Sequence, residues 1–204
     1  MSPRGRRPGG EDTRAAIIAA ARAEFAQRGY DGTSLRGVAR EAGVDPKLVH
    51  HYFDGKTELF AEVLAFPADP SEIIERVVSV PREELGETLV RVFLSVWDTP
   101  VGRQRFAAMF AAAAANEEHA RMVREFVGRE IFVRLIERLD EPGTSAGQPG
   151  TVELRAALGA AQLIGMGVLR YVVRLPALAD ASVEDLVSAL APSLQTHLAP
   201  PPPD

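Results

Sequence analysis

Residues Thr33 to Leu59, TSLRGVAREAGVDPKLVHHYFDGKTEL, decide the fold. Thr33 or Ser34 can cap a helix by accepting a bond from a free backbone N–H, and Leu35, Val38, Ala39 and Ala42 follow at i, i+3, i+4 and i+7. That spacing predicts a short amphipathic helix. Gly43 stands directly after it, where a left-handed residue ends a helix without Cβ strain, and Val44 can plug the corner. Asp45 is placed to cap a second helix, and Pro46 in its first turn sacrifices no hydrogen bond. Val49 and Phe53 supply the buried edge of that helix, leaving Lys47, His50, His51 and Tyr52 on the open side. Short helices joined by a glycine turn, with long or planar polar groups on the second, have the build of a helix-turn-helix DNA reader. Asp54 is placed to cap a third segment with Lys56 in its first turn. The helix dipole disfavours a lysine there unless an anion is near, and a DNA phosphate supplies one.

A glycine turn also joins helices in ordinary bundles, so only the whole constellation selects DNA. A metal site at His50 and His51 finds little support, because the chain has no Cys and its other histidines, His119 and His197, are distant in sequence. Upstream, Asp12 or Thr13 starts a long helix with Ile17, Ile18, Ala21 and Phe25 on one face and Gly29 past its end; Tyr30-Asp31-Gly32 then makes a turn. Downstream, Leu59, Phe60, Val63 and Leu64 face a fourth helix that links this head to the body.

The body reads as helices, with no alternating strand pattern. Expected segments are Ser71 to Ser79, Glu83 to Trp97, Val101 to Ala115, Glu117 to Leu139, Thr151 to Arg174 and Ser182 to Leu198. The fold class is therefore all-α, with about nine or ten helices: a basic arm over 1–10, a DNA-binding head with its linking helix over 11–66, a ligand-binding and dimerisation body over 67–198, and a proline-rich tail over 199–204. Thr151 to Arg174 is rich in Ala and Gly, which permits close helix approach. Phe93, Trp97, Phe106, Met109, Phe110, Met122, Phe126, Gln162, Met166 and Tyr171 lie on adjacent expected helices. They are candidates to line an apolar ligand chamber, and equally candidates for plain core.

The net charge of −5 resolves into a basic head and an acidic body: residues 1–60 sum to +2 and residues 61–204 to −7. Both lysines, Lys47 and Lys56, fall in the head, behind an arm carrying Arg4, Arg6 and Arg7. MSPRGRRPGG lacks the apolar core of a signal peptide, and no apolar run approaches the roughly 18 residues of a membrane span, so a cytoplasmic protein is expected. No GxGxxG, GxxxxGK[ST], HExxH or GxSxG is present, so an enzymatic reading has no anchor and no cofactor is expected.

Thr33, Val38-Ala39, Ala42-Gly43-Val44, Tyr52-Phe53 and Gly55-Lys56-x-Glu58-Leu59, in that order, resemble the N-terminal domain of TetR-family transcriptional regulators, from about Glu11 to Phe66. The resemblance implies a homodimeric, all-helical regulator that dimerises through its last two helices, 151–174 and 182–198, and senses a small-molecule effector. It implies that Thr33 and Lys56 touch phosphates, that Pro46, Lys47, His50 and His51 face the major groove, and that a double-stranded palindromic operator is the partner. Family members often carry Ser or Thr where Pro46 and Lys47 stand and Tyr where His50 stands. Arg36 and Tyr52 complete the expected DNA-facing set. The reading is a repressor released by its effector; the alternative is a helical small-molecule-binding or scaffolding protein without sequence-specific DNA binding.

Overall fold

The computed structural model describes residues 10–139 and 151–198, and among these every regular element is helical. Most of the expected arm, the loop Glu141 to Gly150 and the terminal tail lie outside the described residues. The head comprises α1 (Gly10–Gly32), α2 (Leu35–Ala42), α3 (Pro46–Tyr52) and α4 (Lys56–Val63). The body follows with α5 (Pro70–Val78), α6 (Leu85–Trp97), α7 (Pro100–Ala115), α8 (Glu117–Phe126), α9 (Val133–Leu139), α10 (Val152–Gly167), α11 (Pro176–Ala179) and α12 (Val183–Leu198).

Caps explain most boundaries. Thr99, Asn116 and Thr151 each accept a backbone N–H at the start of α7, α8 and α10. Among the described residues there are twelve helices beside an expectation of about nine or ten, for two reasons. A π-helical stretch, Val127–Phe132, divides the segment Glu117 to Leu139, and the proline-started turn α11 was not foreseen. A second π stretch, Val168–Val172, ends α10. The expected connecting turn at Tyr30 instead continues α1 beyond a kink, where Gly29 takes φ 71° and ψ 177°.

One hydrophobic cluster fills the head. Ile17, Ala21 and Phe25 from α1 meet Val38, Val49, Phe53, Leu59 and Phe60, all but inaccessible. Met122 and Phe126 of α8 complete this cluster, so a body helix forms part of the head's core. A second cluster joins α6, α10 and α12 through Val90, Leu94, Leu163, Met166, Leu186 and Leu194. A third, smaller one contains Trp97, Phe106 and Tyr171.

Val152–Val172 corrects one expectation: with a mean hydropathy of 1.4 over its most apolar stretch, it is by length and composition apolar enough to cross a membrane. Arg155 and Arg170 interrupt the pattern and are buried inside the protein. About a third of its most apolar stretch is buried, and α10 packs against α12.

Candidate DNA-recognition surface and ligand cavity

Ser34, not Thr33, caps α2: its hydroxyl accepts the Gly37 N–H at 3.1 Å. Thr33 is buried and donates its hydroxyl to the Gly29 carbonyl at 2.8 Å, fastening the turn to α1. A phosphate contact through that hydroxyl would require this bond to break. At the other end, Gly43 is left-handed (φ 66°), its N–H meets Arg40 O, and Val44 N–H bonds Ala39 O at 3.0 Å. The chain then turns into α3, where Asp45 accepts the Lys47 N–H at 2.8 Å and Pro46 occupies the first turn.

Val49 is fully buried and Phe53 nearly so, which orients α3 with Pro46, Lys47, His50 and His51 exposed. Tyr52 is half-buried, its ring edge against His51 at 5.1 Å. Arg36 is exposed on α2. Leu48 escaped the sequence reading: it is 38% exposed on the same helix, an apolar surface of the kind that meets a thymine methyl. The signal was its offset from the Val49–Phe53 edge.

The third segment starts differently from expectation. Gly55 stands at the N-cap without a side-chain bond, and Asp54 instead has its own N–H accepted by the Glu58 carboxylate. Lys56 lies over the Tyr30 ring, 4.4 Å from its centroid, with its Nζ 3.5 Å from Asp31 O; Tyr30 Oη is 3.0 Å from Thr57 Oγ1. The lysine is thereby held at the edge of the head beside the N-terminus of α4.

Beneath the head, a cavity of about 220 Å³ is walled almost entirely by apolar side chains. Of the candidate residues, Phe93, Trp97, Phe106, Met109 and Phe110 line it. Met122, Phe126 and Met166 do not: the first two turn into the head core and the third into the α6–α10–α12 core. Gln162 is absent from its wall, and Tyr171 lines a different depression. Phe66, which the sequence placed only in the linker, and Val123 and Val127 of the α8 region line the cavity while also packing on the head cluster.

Residues 17–63 match the family model described as bacterial regulatory proteins, tetR family, and residues 83–198 match that of the tetracyclin repressor-like C-terminal domain. The chain belongs to the TetR family. It is similar to the transcriptional regulator BetI of Agrobacterium fabrum, 30% identical over 181 residues, which span 85% of this chain and 84% of that protein. It is also similar to SrpR of Pseudomonas putida, 28% identical over 163 residues, which span 78% and 74% respectively. The fold is shared with NalD, the secondary repressor of the MexAB-OprM multidrug efflux pump in Pseudomonas aeruginosa. The TM-score there is 0.53 at 23% identity, covering 93% of this chain and 96% of that one. This TetR-family protein is thus a DNA-binding transcriptional regulator and not an enzyme, which sets aside the scaffolding alternative.

Proposed function

We propose that the protein is a cytoplasmic repressor that holds an inverted-repeat operator as a homodimer and lets go when a small apolar molecule enters the cavity beneath Trp97. Phe66, Val123 and Val127 carry this reading, because each touches both the cavity and the core on which α2 and α3 rest. An occupant that pushes on these side chains shifts the seat of the recognition helices. α3 is the groove-facing helix, with Lys47, Leu48, His50 and His51 toward base edges. Arg36, Pro46, Tyr52 and Lys56 flank it toward the backbone, and Thr33 holds the turn.

The dimer is proposed to form through α10 and α12. Leu154, Leu158, Leu169 and Val172 are exposed at helical spacing on the α10 side. Small residues Ala189, Ser193 and Thr196 are exposed on α12. A twofold pairing of such a face sets two α3 helices toward successive major grooves, about 34–36 Å apart. Selection of bound duplexes from random DNA by the purified protein tests the reading: one inverted repeat is expected. Enrichment of a single unpaired half-site, or of no sequence, would overturn the dimeric-operator reading.

A further inference from the structure

A second depression, of about 660 Å³, opens between the start of α7, the π stretch that ends α10, and α11. Its wall carries Arg103, Gln104, Arg170, Tyr171, Arg174 and Asp180. The charges there are unevenly used. Arg170 is 7% exposed and spans Asp98 with two bonds, Nε at 3.1 Å and Nη2 at 2.9 Å. Its Nη1 is taken by the carbonyls of Leu178, Ala179 and Ala181. Arg103 shares the same carboxylate, 3.1 Å from Asp98 Oδ1. One aspartate thus answers two guanidinium groups.

One buried group on this wall points to a ligand, and an exposed guanidinium stands on the same wall. Tyr171 is 4% exposed, and its hydroxyl lies beside the Arg170 guanidinium, a donor, with no acceptor for its own proton among the described residues. A buried donor left unmatched is costly unless something supplies an acceptor. Burial, reinforced by the nearby Asp98 charge, pushes this phenol up to about 12, so it is a neutral O–H donor at physiological pH. Arg174 is exposed on the same wall, left-handed at φ 56° where the helix ends and Leu175 N–H bonds Leu169 O at 2.8 Å.

We propose that this depression binds a small organic carboxylate, its oxygens taken by Arg174, Arg103 and the Tyr171 hydroxyl and its carbon skeleton lying along Pro100, Ala107 and the Tyr171 ring. The volume suits an organic molecule, far exceeding an inorganic ion. Paired guanidinium donors suit a carboxylate's two oxygens. Tyr171 meets Phe106 at 5.3 Å between ring centroids, and Phe106 meets Trp97, the single tryptophan, at 5.1 Å. Occupancy therefore has a built-in reporter.

The test is a titration of the full chain, without DNA, following Trp97 fluorescence with benzoate, benzamide and inorganic phosphate. Saturable binding of benzoate is expected, at least tenfold tighter than that of benzamide or phosphate. Tyr171→Phe and Arg174→Gln should each weaken benzoate at least tenfold, while thermal melting of the unliganded Tyr171→Phe protein is no lower than that of the parent. Benzamide binding as well as benzoate removes the charge recognition, and phosphate binding as well removes the organic one. Either result, an absence of saturable binding, or benzoate affinity unmoved in both variants overturns the proposal. None of these readings depends on operator binding, so failure here leaves the regulator reading standing.

Discussion

The Glu125 carboxylate accepts the backbone N–H of Tyr30 at 2.6 Å, tying α8 of the body to the kinked end of α1 across 95 positions of sequence. Arg121, one turn earlier on α8, donates to the Ala26 carbonyl of the same helix. The kink at Gly29 frees backbone groups on α1, and α8 satisfies them with one carboxylate and one guanidinium. The body thereby grips the helix on which the DNA reader is built.

Replacing Glu125 by Ala removes a charge-assisted bond from a partly buried N–H, at an expected cost of about 1.5–3 kcal/mol. Chemical denaturation measures that cost, and operator affinity should fall in the same variant. Wild-type operator affinity in a destabilised Glu125→Ala protein would mean that the tie serves stability alone.

Gly29→Ala should be destabilising for a separate reason. The φ and ψ values at Gly29 belong to a region essentially reserved for glycine, and an added Cβ would stand 3.1 Å from Glu125 Oε1. A loss of about 1–3 kcal/mol is expected in denaturant unfolding.

Lys56→Ala should weaken binding to all duplex sequences alike and lower the slope of log affinity against log salt by about 1 per subunit. An unchanged slope removes Lys56 from the phosphate contacts and leaves it the role seen over the Tyr30 ring.

Leu158→Arg places a charge on the exposed α10 stripe without entering the core, since Leu158 is 43% exposed in the single chain. Sedimentation should show a folded monomer with lost operator binding. A persistent dimer would move the interface elsewhere.

Acid should loosen the start of α12. The Ser182 hydroxyl accepts the Asp185 N–H at 3.2 Å, and the Asp185 carboxylate accepts the hydroxyl at 2.6 Å and the Ser182 N–H at 3.3 Å. These bonds hold the Asp185 carboxyl below its ordinary 3.8, and Arg91 holds that of neighbouring Glu184 below 4.5. Depressed carboxyl values mean that the stabilisation is present above the ordinary range and disappears as pH falls through and below it. Hydrogen-exchange protection at the first turn of α12, corrected for the intrinsic rate, should fall below about pH 3.8 in the parent and much less in Asp185→Asn.

The head was legible because its signals are local. A stripe at helical spacing, Gly43 and the Asp45-Pro46 start each specify structure within a few residues. Asp54 misled because a carboxyl at the expected cap competes with Glu58, which reaches back to the same turn. Met122 and Phe126 were legible as buried but not as belonging to the head, since an i, i+4 apolar pair does not announce which neighbour it packs against. Phe66 was missed on the cavity wall for the same reason, and the π stretches leave no pattern that distinguishes them from ordinary helix. The Tyr171 depression depends on side chains from α7, the end of α10 and α11, brought together only by folding.

Base reading by α3 is tested most directly by a comparison of selected DNA motifs for the parent and His51→Ala. Preference should relax at the same position in both halves of the inverted repeat, by about 1–3 kcal/mol of discrimination, with the remaining positions intact. A motif identical to the parent's, or a uniform loss of affinity for every sequence, would contradict base reading by His51.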